Sequence, residues 1–170
     1  MHQLLTLARQ EPGALEQAYE NIELSDLARS VVADFATLAN SKQIDLGINA
    51  AASGLVHGSR DALRTLLGNL IDNAIRYSPN GARVDVAVER SEQTIRLIID
   101  DTGPGIPPAE LTRVLDRFYR VPGTAGSGSG LGLAIVAQIA STHNAILALD
   151  NRNPGFSVSV RFALASAEKN

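Results

Sequence analysis

The chain has 170 residues, 45% hydrophobic and 19% charged, which suits one globular domain with a substantial core. A net charge of -3 with no Lys/Arg run gives no electrostatic basis for nucleic-acid or membrane-surface binding, and the absence of cysteine excludes disulfides and thiolate metal sites. No secretory leader is visible and no apolar run approaches the ~20 residues of a membrane helix, so the expectation is a soluble piece, compatible with an anchor elsewhere in a longer parent.

In chain order, residues 1–10 read as a helix with Leu4, Leu5, Leu7 and Ala8 apolar, stopped by Glu11-Pro12-Gly13. Beginning without a capping residue, it reads as the tail of a longer helix. Ser25 is a favourable N-cap for a helix running to about residue 40, with Leu27, Val31, Val32, Phe35 and Leu38 as its apolar stripe. Alternation of apolar residues predicts short strands over 44–48 and 55–57. Ser59-Arg60-Asp61 opens the principal helix, 61–77, which stops at Tyr77-Ser78-Pro79-Asn80-Gly81. Strands over 84–88 and 95–99 form an antiparallel pair around Ser91-Glu92-Gln93. Residues 102–130 are rich in Gly, Pro, Ser and Thr, with a short helix at most over 108–115; so long an irregular stretch inside a compact domain is usually functional or disordered. A helix over 131–142 follows, then a hairpin of 145–150 and 156–162 around Asn151-Arg152-Asn153-Pro154-Gly155, and a loose tail over 166–170. His57 at a strand end, and His143 before Asn144 in the place of a left-handed cap, read as structural. Helices interspersed with hairpins predict an α+β fold, a two-layer α/β sandwich in which helices 25–40, 61–77 and 131–142 cover one face of a mixed sheet.

Four polar clusters carry the chemistry. On the 61–77 helix, Leu63, Leu66, Leu67, Leu70, Ile71 and Ala74 share one stripe; Asn69, Asn73 and Arg76 lie at its border, with Tyr77 between them and the core face. Asn is a mediocre helix former, so two at i and i+4 there ask for a role. The Asn73 oxygen suits a hard divalent ion such as Mg²⁺, which takes few protein oxygens beside waters and phosphates, and Arg76 suits a phosphate. Taken alone, the cluster reads as a solvated polar edge. Asp101-Thr102-Gly103-Pro104-Gly105 closes an apolar strand on a carboxylate that would accept from the exocyclic amine of adenine, worth ~1.5–3 kcal/mol, and reject the carbonyl of guanine. Gly103 and Gly105 would let the backbone approach the ring, although an ordinary acidic turn has the same residues. Asp100 is the structural or solvent-facing acid of the pair. Arg117-Phe118-Tyr119-Arg120 reads as a cover, anchored by Phe118, with Arg120 facing a triphosphate. Gly126, Gly128, Gly130 and Gly132 lead straight into a helix, whose N-terminal N–H groups attract an anion. Neither the strand that precedes a dinucleotide-binding loop nor the Gly-Lys-Ser/Thr of a Walker A loop is present.

In their order and spacing these clusters resemble the catalytic ATP-binding domain of bacterial two-component sensor histidine kinases, within the GHKL ATPase/kinase superfamily, with a flavour similar to QseC/PmrB-like sensor kinases. Asn69–Ser78 looks like the N box, Asp101–Ile106 the G1 box, Arg117–Arg120 the F box and Gly128–Leu133 the G2 box, over roughly residues 20–164. The resemblance implies a mixed five-stranded sheet with three helices and ATP bound under a lid. It implies Asn73 as the Mg²⁺ ligand, Asp101 as the adenine reader, Asn69 completing the metal–phosphate environment, Arg76 and Arg120 on phosphates and Tyr77 lining the pocket. Gly103, Gly105, Ile106, Gly128, Gly130, Leu131, Gly132 and Leu133 would approach the nucleotide. Asn69, Asn73 and Arg120 are thereby the catalytic candidates. Relatives that hydrolyse ATP commonly have a glutamate base at the place of Asn69; an amide takes no proton from water, which favours a kinase.

The family's phosphoacceptor, a His followed by an acid, does not occur: His2, His57 and His143 precede Gln3, Gly58 and Asn144. The expected organisation is the end of a second dimerisation helix and linker over 1–19, the catalytic domain over 20–165 and a tail over 166–170. The expected partners are the parent's own dimerisation domain and a response regulator, with no nucleic acid; the isolated piece would be a monomer and its parent a membrane-anchored homodimer with this domain in the cytoplasm. A protein-serine kinase of the same superfamily, or a nucleotide-sensing module without catalysis, are the alternatives.

Overall fold

Apolar side chains at every second position build a mixed five-stranded sheet in the computed structural model, which describes residues 18–116, 132–152 and 154–166. Its strands are β2 (Asp45–Ala51), β4 (Arg83–Arg90), β5 (Thr94–Asp101), β6 (Ile146–Asn151) and β7 (Phe156–Ala163), in the order β2-β4-β5-β7-β6. The β2–β4 pair is parallel and the other pairs are antiparallel. One register row, Ile48–Val86–Ile99–Val158–Leu149, crosses all five strands, so these side chains share a face. On that face Val84, Val86, Val88, Ile95, Leu97, Ile99, Val160 and Phe162 are buried. They pack in one cluster with Leu27 and Val31 of α1 (Leu24–Asp34), with Leu63, Leu66, Leu67, Leu70 and Ile71 of α3 (Arg60–Arg76), and with Ile135, Val136 and Ile139 of α4 (Gly132–Thr142). Each fully buried Leu or Ile contributes about 1.5–3 kcal/mol, so the α3 stripe alone fixes that helix on the sheet.

The expected helix over 25–40 is two helices. Helix α1 ends at Asp34, Phe35 leaves helical geometry at φ -99° and ψ 2°, and α2 spans Ala36–Ser41. The break turns the chain, so Leu27 and Val31 remain buried while Leu38, predicted for the same stripe, is 39% exposed. Nor is Ser25 the N-cap: the helix starts at Leu24 after Glu23, and the Ser25 hydroxyl donates to the Glu23 carboxylate at 3.0 Å. That carboxylate also accepts from Ser53 Oγ at 2.9 Å and Gly54 N–H at 2.9 Å, tying the start of α1 to the turn that follows β2. A strand absent from the sequence reading, β1 (Tyr19–Glu23), pairs antiparallel with β3 (Leu55–Ser59) in a separate two-stranded sheet. Its burial is confined to Ile22 and part of Glu23, which leaves no period-two signal. The short helix expected over 108–115 reduces to a 3-10 turn at Pro108–Glu110. The helix expected over 1–10 lies outside the described residues.

His143 is structural, as expected. Its Nε2 accepts from the Ser59 N–H at 3.1 Å, its Nδ1 donates to the Ile139 carbonyl at 2.8 Å, and its ring stacks on Tyr19 with centroids 5.2 Å apart. Ser59 in turn caps α3 by accepting from Ala62 N–H, so one imidazole joins the end of α4 to the start of α3. Asn144 follows with φ 54°, the left-handed conformation predicted for it. Burial pushes the His143 imidazole below its ordinary value, while the Ile139 carbonyl acts the other way. The folded chain thus prefers the neutral ring. The stability from that preference is complete above the ordinary imidazole pKa and is lost as pH falls through it toward the lower folded value. Between about pH 7 and about pH 5 the melting temperature should fall more steeply in the wild type than in His143→Gln. Parallel slopes in the two thermal-melt series would contradict this role.

Candidate functional site

The site is built on the last two turns of α3. Asn69 is buried at 8% exposure, and its amide Nδ2 donates to the Thr65 carbonyl at 2.9 Å, which fixes which end of the amide carries the oxygen outward from the helix. Asn73 is half-buried one turn on, and Tyr77 closes the helix by donating its N–H to the Asn73 carbonyl at 3.1 Å. Arg76 is exposed and engages Asp72 at i,i-4 through Nε at 2.8 Å.

A residue that the sequence reading passed over holds this helix end. Lys42, at the C-cap of α2, donates its ammonium to the carbonyls of Ile75 (2.8 Å), Arg76 (3.2 Å) and Ser78 (2.9 Å). The Ile75 and Arg76 carbonyls are among the ones a helix C-terminus leaves without intrahelical donors, and a cation there also meets the negative end of the helix dipole. No local pattern announces this, because Lys42 reaches across more than thirty residues, 33 to Ile75.

The second wall is the end of β5. Asp101 Oδ1 accepts from the Gly103 N–H at 2.8 Å, which folds the chain back on itself. Burial pushes the Asp101 carboxyl above the usual carboxylate range, opposed by the backbone N–H groups of Gly103 and Phe156 and assisted by the charge of Asp100. Gly103 is seated against α3: a methyl there would lie 3.0 Å from Asp101 Oδ1, 3.2 Å from Ser78 Oγ and 3.2 Å from the Tyr77 carbonyl oxygen. Gly105 adopts φ 77°, a conformation that side chains rarely take. Ile106 is half-buried against the core and bonds both its backbone groups to Asn151. Asp100 departs from the solvent-facing alternative, since its Oδ1 is buried without a hydrogen-bond partner among the described residues. Ser78 Oγ is in the same condition beside Gly103.

The third wall is the start of α4. A methyl on Gly132 would sit 3.2 Å from Asn73 Oδ1, 3.3 Å from its Nδ2 and 3.6 Å from Asn69 Oδ1. With glycine at this position the start of α4 sits close against the two amides without displacing them. Leu133 beside it is half-buried against the core. Segments far apart in sequence therefore meet: Asn69, Asn73 and Tyr77 have Gly103 and Asp101 on one side and Gly132 on the other. The remaining candidates, Arg120, Gly128, Gly130 and Leu131, lie outside the described residues.

The donor set suits a hard cation in one respect and a purine in another. Asn73 and Asn69 present neutral amide oxygens beside a helix start, a set that would hold Mg²⁺ only in company with waters and phosphate oxygens. Among the described residues no group of three or more His, Cys, Asp or Glu side chains is placed to hold a metal by itself. Asp101 supplies a desolvated acceptor with glycine backbone next to it, which fits the amine edge of a flat ring.

The sequence matches the family of histidine kinase-, DNA gyrase B- and HSP90-like ATPases over residues 58–166. The chain belongs to that family. Within it the chain is 40% identical over 162 residues to the sensor protein QseC of Salmonella typhi, covering 94% of this chain and 35% of that protein. It is 36% identical over 169 residues to the sensor protein kinase PmrB of Pseudomonas aeruginosa, covering 99% of this chain and 35% of that protein. Among solved structures, the mycobacterial sensor histidine kinase MprB superimposes with a TM-score of 0.79 at 29% identity, covering 85% of this chain and 98% of that one. The chain thus spans about a third of the length of the curated relatives it matches. The α+β architecture expected from the sequence, a mixed five-stranded sheet with helices, is the one these catalytic domains have.

Proposed function

We propose that the chain is the Mg–ATP-binding catalytic domain of a sensor histidine kinase, which donates the γ-phosphoryl group of ATP to a histidine on the parent's dimerisation domain for relay to a response regulator. The observation that carries this reading is the contact of Gly132 with the Asn73 and Asn69 amides, while Gly103 holds Asp101 against the end of the same helix. Asp101 accepts from the adenine amine, and the Gly103–Ile106 backbone lies along the ring. Asn73 and Asn69 turn amide oxygens to the metal–phosphate end, with Gly132 and the α4 N-terminus facing the phosphates; Arg76 and Arg120 supply guanidinium charge there. Magnesium, when bound, neutralises charge on the phosphate chain. The work of the protein is positioning, as is usual in phosphoryl transfer. Asn69 cannot deprotonate water, so transfer to an imidazole is favoured over hydrolysis.

The names of the relatives, sensor proteins and sensor kinases, support a place beneath a sensor in the cytoplasm. Among the described residues no helix is long and apolar enough to cross a membrane. The test is incubation with labelled ATP, with and without a separately supplied dimerisation-helix domain. Acid-labile phosphohistidine should form on that domain, with none on this chain alone. Label on His2, His57 or His143 would overturn the donor assignment; phosphoserine on a partner would favour a protein-serine kinase, and binding without transfer a sensing module.

A further inference from the structure

We propose that Asn151 is a positioning residue for the purine end of the site, and that the β6–β7 hairpin sets where the Gly105–Ile106 backbone stands relative to the Asp101 carboxylate. In sequence Asn151 is one polar residue in a turn. In the fold it is the last residue of β6, in the same register row as Phe156 of β7 and Asp101 of β5. Its amide grips Ile106 at both ends: Nδ2 donates to the Ile106 carbonyl at 2.6 Å, and Oδ1 accepts from the Ile106 N–H at 2.9 Å.

Those two bonds do for Ile106 what a neighbouring strand would do for a residue in a sheet. They fall where the chain is otherwise irregular, between β5 and the turn at Pro108. Gly105 is held by the same clamp, since a methyl on it would sit 2.6 Å from Asn151 Oδ1 and 3.1 Å from the Gly155 carbonyl oxygen. That carbonyl is itself fixed by accepting from the Arg152 N–H at 2.8 Å. The hairpin reaches Asp101 as well, through Phe156, its register partner on β7, and through Gly155, where a methyl would collide with the Asp101 carbonyl. Asn151, Gly155 and Phe156 of one hairpin therefore hold both the group that reads the base and the backbone that lies against it. An amide offers a donor and an acceptor on separate atoms, one for each backbone group of Ile106: aspartate has no donor, and alanine has neither.

The inference rests on the Mg–ATP reading, so its test separates the two. Mg–ATP and Mg–GTP are titrated into the full chain and its N151A and N151D variants, and amide exchange is followed at Ile106. Both variants should bind Mg–ATP about tenfold more weakly and narrow the ATP-to-GTP ratio, with faster Ile106 exchange, while remaining folded. A change that only loosened the fold would leave the ratio where it was. Wild-type affinity and an unchanged ratio in a folded variant would overturn this inference alone. If neither variant folds, rapid Ile106 exchange in the wild type would overturn it. Failure of the wild type to bind either nucleotide would sink the nucleotide reading and this inference with it.

Discussion

Asp101→Asn is expected to weaken Mg–ATP binding by about 10- to 100-fold without lowering the melting temperature of the ligand-free chain. The two halves of this result have one cause. Burial makes the Asp101 carboxylate a strong acceptor for an amine, and the same burial makes its ionisation unfavourable in the empty site. Its folded pKa is raised, so its contribution to stability is complete below the ordinary carboxylate value and is lost as pH rises through the higher one. At neutral pH the ionised group thus costs stability, and the amide removes that cost. The Gly103 N–H keeps an acceptor in the variant, because an Asn carbonyl oxygen stands where Oδ1 stood. Calorimetric titration and thermal melts decide the matter. Unchanged affinity would remove Asp101 from the site, and a collapse in melting temperature would make it a structural residue.

Asn73→Ala should reduce phosphoryl transfer to a supplied dimerisation domain by about 100-fold or more, and lower the magnesium dependence of ATP binding. Stability should hold or rise, because Ala is a better helix former than Asn by up to ~0.7 kcal/mol and the site is only half-buried. A helix that keeps two amides at its border instead of better formers gives up stability for what they bind. Circular dichroism melts and phosphohistidine yields check the pair of effects; full transfer by a folded variant would show that the amide oxygen holds nothing that matters to the reaction.

The legible parts of this fold were those whose signal is local. The α3 stripe of Leu63, Leu66, Leu67, Leu70, Ile71 and Ala74 is buried as its 3.6-residue period predicts, and β4, β5 and β7 bury the alternate residues Val84, Val86, Val88, Ile95, Leu97, Ile99, Val158, Val160 and Phe162, with Ala87, Ile98 and Ser157 between them buried as well. What failed was decided by distant contacts. Residues 25–40 contain no Gly or Pro to mark the break at Phe35, and the helix beyond it packs on β2. β1 is stabilised by pairing with β3 and shows little pattern of its own. In the site, the amide, carboxylate and glycine residues were visible because their types and order are unusual. Lys42 and Asn151 were not, because a lysine before a strand and an asparagine in a turn are ordinary, and each acts on a segment more than thirty residues away.

The account depends most on Asn69, Asn73, Asp101, Gly103, Ile106 and Gly132 acting as one ligand surface. Backbone amide chemical shifts recorded during a Mg–ATP titration test this directly. Shifts should saturate together at these positions, with Mg–GTP giving weaker and later changes. Absence of saturation, or shifts gathered on the β1–β3 side of the molecule instead, would contradict it.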